Sequence, residues 1–247
     1  MNFTKAIMED KLSYINFDNI SIGIYKDGPV GISVSGGADS SALLYVLMKH
    51  VEHDLHIFQL LPEYRRLALE SPFDRVIKKC SELTGKKNYF VHKLRLVSAA
   101  PEMLFKVYKE HLDNKTVDIV YTGITKFPPD EVYENWDEKL PSFHVDFRRD
   151  KNIHPLFGIQ INIPAGTDCG NVTIGGEIKD KIVSDKRVYS PLINNNKKDV
   201  AKIYRFFNVE KELFPVTRSC ENDKHLDSHC GKCWWCQERI WGFGYLE

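Results

Sequence analysis

The chain lacks any uninterrupted apolar run of about 18 residues, which excludes a candidate membrane-spanning helix. It lacks an excess of either charge. Its 34 Lys and Arg stand against 34 Asp and Glu, so net charge argues for neither a nucleic-acid nor a membrane partner. It lacks a Gly-Lys-Ser/Thr triplet, which excludes a Walker A loop. The opening Met1-Asn2-Phe3-Thr4-Lys5-Ala6 runs into acidic residues without a secretory apolar core, so the expected location is cytoplasmic. Cysteine is scarce, six in 247 residues, and unevenly spread: four fall in the last 28. In a reducing compartment that clustering favours a metal over disulfides. The hydrophobic fraction, 43%, is enough for a proper core and excludes a disordered chain.

What is present is organised around Val30-Gly31-Ile32-Ser33-Val34-Ser35-Gly36-Gly37-Ala38-Asp39-Ser40-Ser41. A short apolar run predicts a buried strand, two glycines a turn, and Ala42–Met48 a helix. Strand, glycine turn and helix N-terminus together form an anion cradle, because backbone amides and the helix dipole converge there. Asp39, Ser40 and Ser41 suit the helix's first turn. Ser35-Gly36-Gly37-Ala38-Asp39-Ser40 resembles the S-G-G-x-D-S signature of the PP-loop ATP pyrophosphatases. The resemblance implies that Ser33 to Ser41, with Gly123 after a later strand, bind ATP through its pyrophosphate. It also makes Asp39 a candidate contact to Mg²⁺, directly or through water.

Alternating strands and helices predict an α/β fold, a parallel, Rossmann-like sheet with helices on both faces, and the PP-loop resemblance implies that the sheet is of the adenine nucleotide alpha hydrolase type. Asn19–Tyr25 reads as an edge strand. Leu55–Leu61, Asn88–Leu94, Val117–Gly123 and Val188–Ile193 read as the second to fifth strands. Helices are expected over Pro72–Thr84, with Ser71 as N-cap and Gly85 as stop, over Pro101–Leu112, and from Asn196 to about Phe207. Arg65 and Arg66, at a strand's C-terminal end, either touch a phosphate or form a solvated pair. Cys80 reads as a buried small residue and His92 as structural. Between about 126 and 187 the pattern lapses into an insertion with a small hairpin, carrying Phe143, His144, Asp146, Arg148 and Arg149 without an assignable role. The organisation expected is an ATP-binding domain over 1–212 and a metal-binding region over 213–247.

Lys197 falls in the first turn of its helix, where a cation opposes the dipole unless an anion is near. Ser190–Val200 is similar to the T-P-L-x-x-x-S-K-x-E-V stretch of PP-loop enzymes, which implies that Lys197 contacts the ATP phosphates. Cys220, Cys230, Cys233 and Cys236 follow the spacing C-x9-C-x2-C-x2-C, suited to a closed tetrahedral Zn²⁺ site of structural type. His225 and His229 lie close enough in sequence to replace one ligand.

The loop, the C-G-x-C-x-x-C run and Cys236-Gln237-Glu238-Arg239-Ile240-Trp241-Gly242-Phe243 together resemble the 7-cyano-7-deazaguanine synthase family, QueC. The resemblance implies a homodimeric, AMP-forming ligase that takes ATP, ammonia and 7-carboxy-7-deazaguanine to the nitrile. It implies no direct contact with nucleic acid. After its fourth strand the family has G-V-N and then Y-P-D-C-R. This chain has Gly123-Ile124-Thr125-Lys126-Phe127-Pro128-Pro129-Asp130, so the acceptor stays open. The alternatives are a PP-loop enzyme activating another carboxylate (a small acid or a protein terminus), a PP-loop tRNA-modifying enzyme, and a non-catalytic zinc-bearing binding module.

Overall fold

The structure, a computed structural model, describes residues 10–62, 66–96, 101–134, 136, 160–162, 180–182, 185, 187–220, 222 and 228–247. Five parallel strands form the main sheet: β3 (Val30–Val34), β4 (Leu55–Pro62), β5 (Tyr89–Leu96), β6 (Ile119–Thr122) and β9 (Val188–Tyr189). Their spatial order is β5-β4-β3-β6-β9. The chain first winds outward from β3 to β5, then returns to pair β6 on the other side of β3. That reversal creates a switch point between the C-terminal ends of β3 and β6, the crevice where open α/β sheets hold ligands.

Helices cover both faces, as the alternating pattern predicted. On one face Val30, Ile32 and Val34 pack with α1 (Ala38–His50), α2 (Arg66–Thr84) and α5 (Lys197–Phe206) around Leu43, Leu47, Phe73, Val76, Val200 and Tyr204. On the other, α3 (Pro101–Asp113) lays Tyr108 and Leu112 on Phe58, Val120 and Val188. Gly31 faces this second layer, where a Cβ would come 2.6 Å from the Phe58 ring. Among the described residues no helix is long and apolar enough to cross a membrane.

Four expectations need correction. The segment read as an edge strand is β2 (Ile20–Tyr25), but it pairs antiparallel with β1 (Leu12–Phe17) in a separate hairpin. Buried tyrosines tie that hairpin to the main sheet: the Tyr121 hydroxyl accepts from Tyr25 N (2.8 Å) and donates to the Gly23 carbonyl (3.0 Å), and the Tyr189 hydroxyl accepts from Gly23 N (3.1 Å). Second, α2 begins at Arg66, so Pro72 is interior rather than at the first position. Arg-Leu-Ala-Leu-Glu upstream are good helix formers, and their propensity carries the helix through the single backbone bond that Pro72 cannot make. Third, β9 is two residues long, not six. Beyond Tyr189 the backbone turns on itself, with Ile193 N donating to Ser190 O (3.1 Å) and Asn195 N to Leu192 O (2.9 Å). Pro191 has no N–H with which to continue a ladder. Fourth, the Val117–Gly123 run yields only Ile119–Thr122 as β6.

The remaining elements are α4 (Asp130–Tyr133), the β7–β8 pair (Gln160–Asn162 with Asp180–Ile182), α6 (Glu210–Leu213), a 3₁₀ turn (Phe214–Val216) and α7 (Trp234–Phe243). The hairpin expected within the insertion corresponds to β7–β8. Arg65, Phe143, His144, Asp146, Arg148, Arg149, Cys169 and His225 lie outside the described residues.

Candidate functional site

The loop after β3 is shaped by its own side chains. Gly36 sits at φ +80°, the left-handed region that favours glycine, and a Cβ there would press on Phe73 N at 3.2 Å. Its carbonyl accepts from Arg218 N at 2.8 Å, which anchors the loop to the C-terminal region. Ser40 Oγ lies 3.2 Å from Ser35 N, 3.1 Å from Ser35 Oγ and 3.3 Å from Gly37 O. Ser41 Oγ donates to Gly37 O at 2.7 Å. These hydroxyls close the turn. Gly37, the N-cap of α1, has no side chain with which to cap the first-turn amides.

Ser33, Val34 and Ala38 take different places. Val34 and Ala38 are buried in the core, so any contact they make to a ligand is through main chain. Ser33 hydrogen-bonds the buried Tyr108 hydroxyl, whose pKa is pushed up to about 12, chiefly by burial. Gly123 follows β6 across the switch point. A Cβ there would stand 2.7 Å from Ser40 Cα, so only glycine lets the end of β6 approach the first turn of α1 this closely.

Lys197 and Asp39, 158 residues apart, meet beside the loop. The ammonium lies 2.6 Å from Asp39 Oδ1 and 2.5 Å from Oδ2, and Thr125 Oγ1 donates to Oδ2 at 3.3 Å. A second carboxylate closes the cluster: Glu238 Oε2 is 3.3 Å from Lys197 Nζ. Lys197 opens α5, where Asn196 and Asp199 form the capping box that the sequence suggested. The anion that its unfavourable position demanded is supplied by Asp39 and Glu238 together. Sequence reasoning singled out the first and missed the second. The available signal was the i, i+4 pair Glu238 and Gly242, which puts a carboxylate and a gap on one face of α7. The gap is filled by Lys197 itself, since a Cβ on Gly242 would come 2.3 Å from Lys197 Cγ.

The rest of α7 is fastened as firmly. Arg239 is buried, with Nε donating to Leu246 O (2.7 Å), Nη1 to Thr217 Oγ1 (2.7 Å) and Nη2 to Phe214 O (2.9 Å). Its guanidinium lies 3.5 Å from the centre of the Phe214 ring, which stacks on Phe243 at 3.7 Å. Burial lowers its pKa to about 10, still leaving it cationic near neutrality.

At the start of α7 the four expected cysteines converge. The Sγ atoms of Cys220, Cys230, Cys233 and Cys236 all lie within 4.8 Å of one another, with Cys220–Cys233 and Cys230–Cys236 each at 3.9 Å. Zinc–thiolate bonds of about 2.3 Å in a tetrahedron place sulfurs about 3.8 Å apart, so the set fits Zn²⁺. The Cys236 thiol is raised by its hydrogen bond with Cys233 and by burial, and a divalent cation reverses that preference. His229 is otherwise engaged, accepting from Ser219 N at 3.3 Å through Nε2 and meeting Glu247 Oε1 at 3.0 Å through Nδ1. The spare Cys80 is buried inside α2, its thiol pKa raised by burial and its Sγ 3.9 Å from Ser41 O. It is not poised as a nucleophile.

No curated protein matches the chain. A family model does match, covering β9, α5 and the four-cysteine tail whose contacts are described above. Over residues 171–247 the chain is QueC-like, matching the model described as "Queuosine biosynthesis protein QueC".

Proposed function

We propose that the chain is an ATP-dependent, AMP-forming ligase of QueC type, converting 7-carboxy-7-deazaguanine and ammonia to the nitrile. The observation that carries the reading is the Lys197–Asp39 pair beside an uncapped helix N-terminus at the sheet's switch point. In this reading the amides of residues 35–41 receive the pyrophosphate of ATP. Lys197 turns its ammonium to the phosphates, and Asp39, relieved of part of that pairing, meets the Mg²⁺ that accompanies them. Fixed amides and one lysine stabilise the charge that develops as pyrophosphate departs. ATP passes AMP to the acceptor carboxylate and releases pyrophosphate, ammonia displaces AMP to give the amide, and a second ATP adenylates the amide oxygen, which departs with AMP and leaves the nitrile. Zn²⁺ on the four cysteines is structural, since a closed thiolate set leaves no position for water. On this reading the protein works in the cytoplasm as a homodimer, with small molecules rather than nucleic acid as its partners.

The test is incubation with ATP, ammonium and 7-carboxy-7-deazaguanine, read by mass spectrometry. AMP with the nitrile is expected, and no AMP with any carboxylate overturns the reading. A second reading, another carboxylate as acceptor, is favoured by the segment after β6. Phe127 there packs its ring 5.2 Å from that of Trp234, and no Y-P-D-C-R follows. AMP without nitrile is its signature.

A further inference from the structure

We propose that Glu238 is a positioning residue for nucleotide binding, acting through Lys197. The inference rests on the nucleotide-binding reading of the loop and adds a residue that the reading does not require. Glu238 is 1% exposed, and a carboxylate buried that deeply is tolerated only against a cation or good donors. Its Oε2 lies 3.3 Å from the Lys197 ammonium, whose side chain is itself 4% exposed.

Lysine is an unusual choice for a fixed contact, because its four-carbon stem is flexible. Here the stem and the head are both held from α7. Gly242 admits the stem, with Lys197 Cγ occupying the place a Cβ would need. Glu238, one turn earlier, holds the head. Asp39 holds the same head from the loop side, at 2.5–2.6 Å. The two carboxylates therefore compete for one ammonium. Asp39 is the nearer partner, and Glu238 gives the ammonium a second counter-ion, so Lys197 can turn from Asp39 to a phosphate, opening the Asp39 oxygens to a divalent cation, without losing its charge compensation. Removal of the Glu238 charge lets Lys197 settle on Asp39, masking both groups.

The experiment is calorimetric titration of the zinc-loaded full chain with MgATP, with zinc content and melting temperature measured on each variant. Glu238→Gln is expected to weaken MgATP binding about tenfold, the size of a lost charge-assisted contact. Glu238→Asp, which keeps the charge, stays near wild type. Lys197→Met weakens binding to a similar extent, and the double variant is no weaker than Lys197→Met alone, because Glu238 acts only through that lysine. Additive losses would mark Glu238 as merely structural and overturn the proposal, as would a Glu238→Gln affinity equal to wild type. If Glu238→Gln does not fold, Lys197→Met still decides: MgATP affinity unchanged in that variant leaves nothing for Glu238 to position. Failure of the wild-type protein to bind MgATP overturns the nucleotide reading itself, an outcome distinct from wild-type binding that ignores Glu238.

Discussion

Single atoms decide much of this site. Gly123 has no room for a methyl group, because its neighbour is the Ser40 backbone at 2.7–2.8 Å rather than a movable side-chain tip. Gly123→Ala is expected to cost about 1–3 kcal/mol, as overpacking does, and to push the first turn of α1 away from β6. Urea denaturation measures the first effect and MgATP titration the second; an alanine variant with unchanged affinity would show that the close approach is incidental. Arg239 offers a contrast. Its charge is surrounded by carbonyls, a hydroxyl and an aromatic face, so removal strands three acceptors at once. Arg239→Met should cost about 3 kcal/mol or more in urea denaturation. Arg239→Lys should recover only part, since one ammonium cannot reproduce the planar fork.

Among elements, α7 links two chemistries. Cys233 caps it and Cys236 lies in its first turn, while Glu238 and Gly242 on the same helix hold Lys197. Moving the first turn moves the second contact, because a helix is rigid over this distance. Chelation of zinc is therefore expected to weaken MgATP binding although no cysteine is in the loop, with re-addition of zinc restoring it. Equal affinity before and after chelation, with metal analysis confirming removal, would show the two sites to be independent. The capping box at Asn196 explains why α5 starts where it does, and why its start, unlike that of α2, was legible in sequence. Asn196 and Asp199 act on their own neighbours' amides. Pro72 carried a start signal too, but Arg66 to Ser71 extended the helix past it.

At the scale of the whole molecule, the face of the sheet that α3 covers carries a cluster of imidazoles beside Phe58. His56 on β4 and His92 on β5 stack at 5.2 Å with Nδ1 and Nε2 3.0 Å apart, and His111 from α3 meets His92 at 5.1 Å. All three pKa values are lowered, first by burial and for His56 and His92 also by the neighbouring imidazoles. Below the ordinary value of 6.5 the unfolded chain binds more protons than the folded one. Their contribution is thus fully present above that pH and is lost progressively as pH falls beneath it. Denaturation midpoints at about pH 7.5 and about pH 5.5 should differ, with the acidic one lower, and His92→Gln should shrink the difference. An undiminished difference in that variant would place the acid sensitivity elsewhere.

Taken alone, the sequence determined the strand, turn and helix around Gly36 and Gly37, the four-cysteine ligand set and the cap of α5. Each depends on residues that lie within one short stretch of the chain, the longest being Val30–Met48 and Cys220–Cys236, so local pattern suffices. It also carried β4, β5 and β6 as apolar runs. It did not determine the pairing of β1 with β2, the length of β9 or the place of Glu238. β1 alternates too weakly to be read, β9 ends because Ser190–Asn195 folds back on itself, and Glu238 matters only because α7 packs against α5. Tertiary packing alone brought Asp39, Lys197 and Glu238 to one point. Their attraction depends on distance through space, which no spacing along the chain encodes.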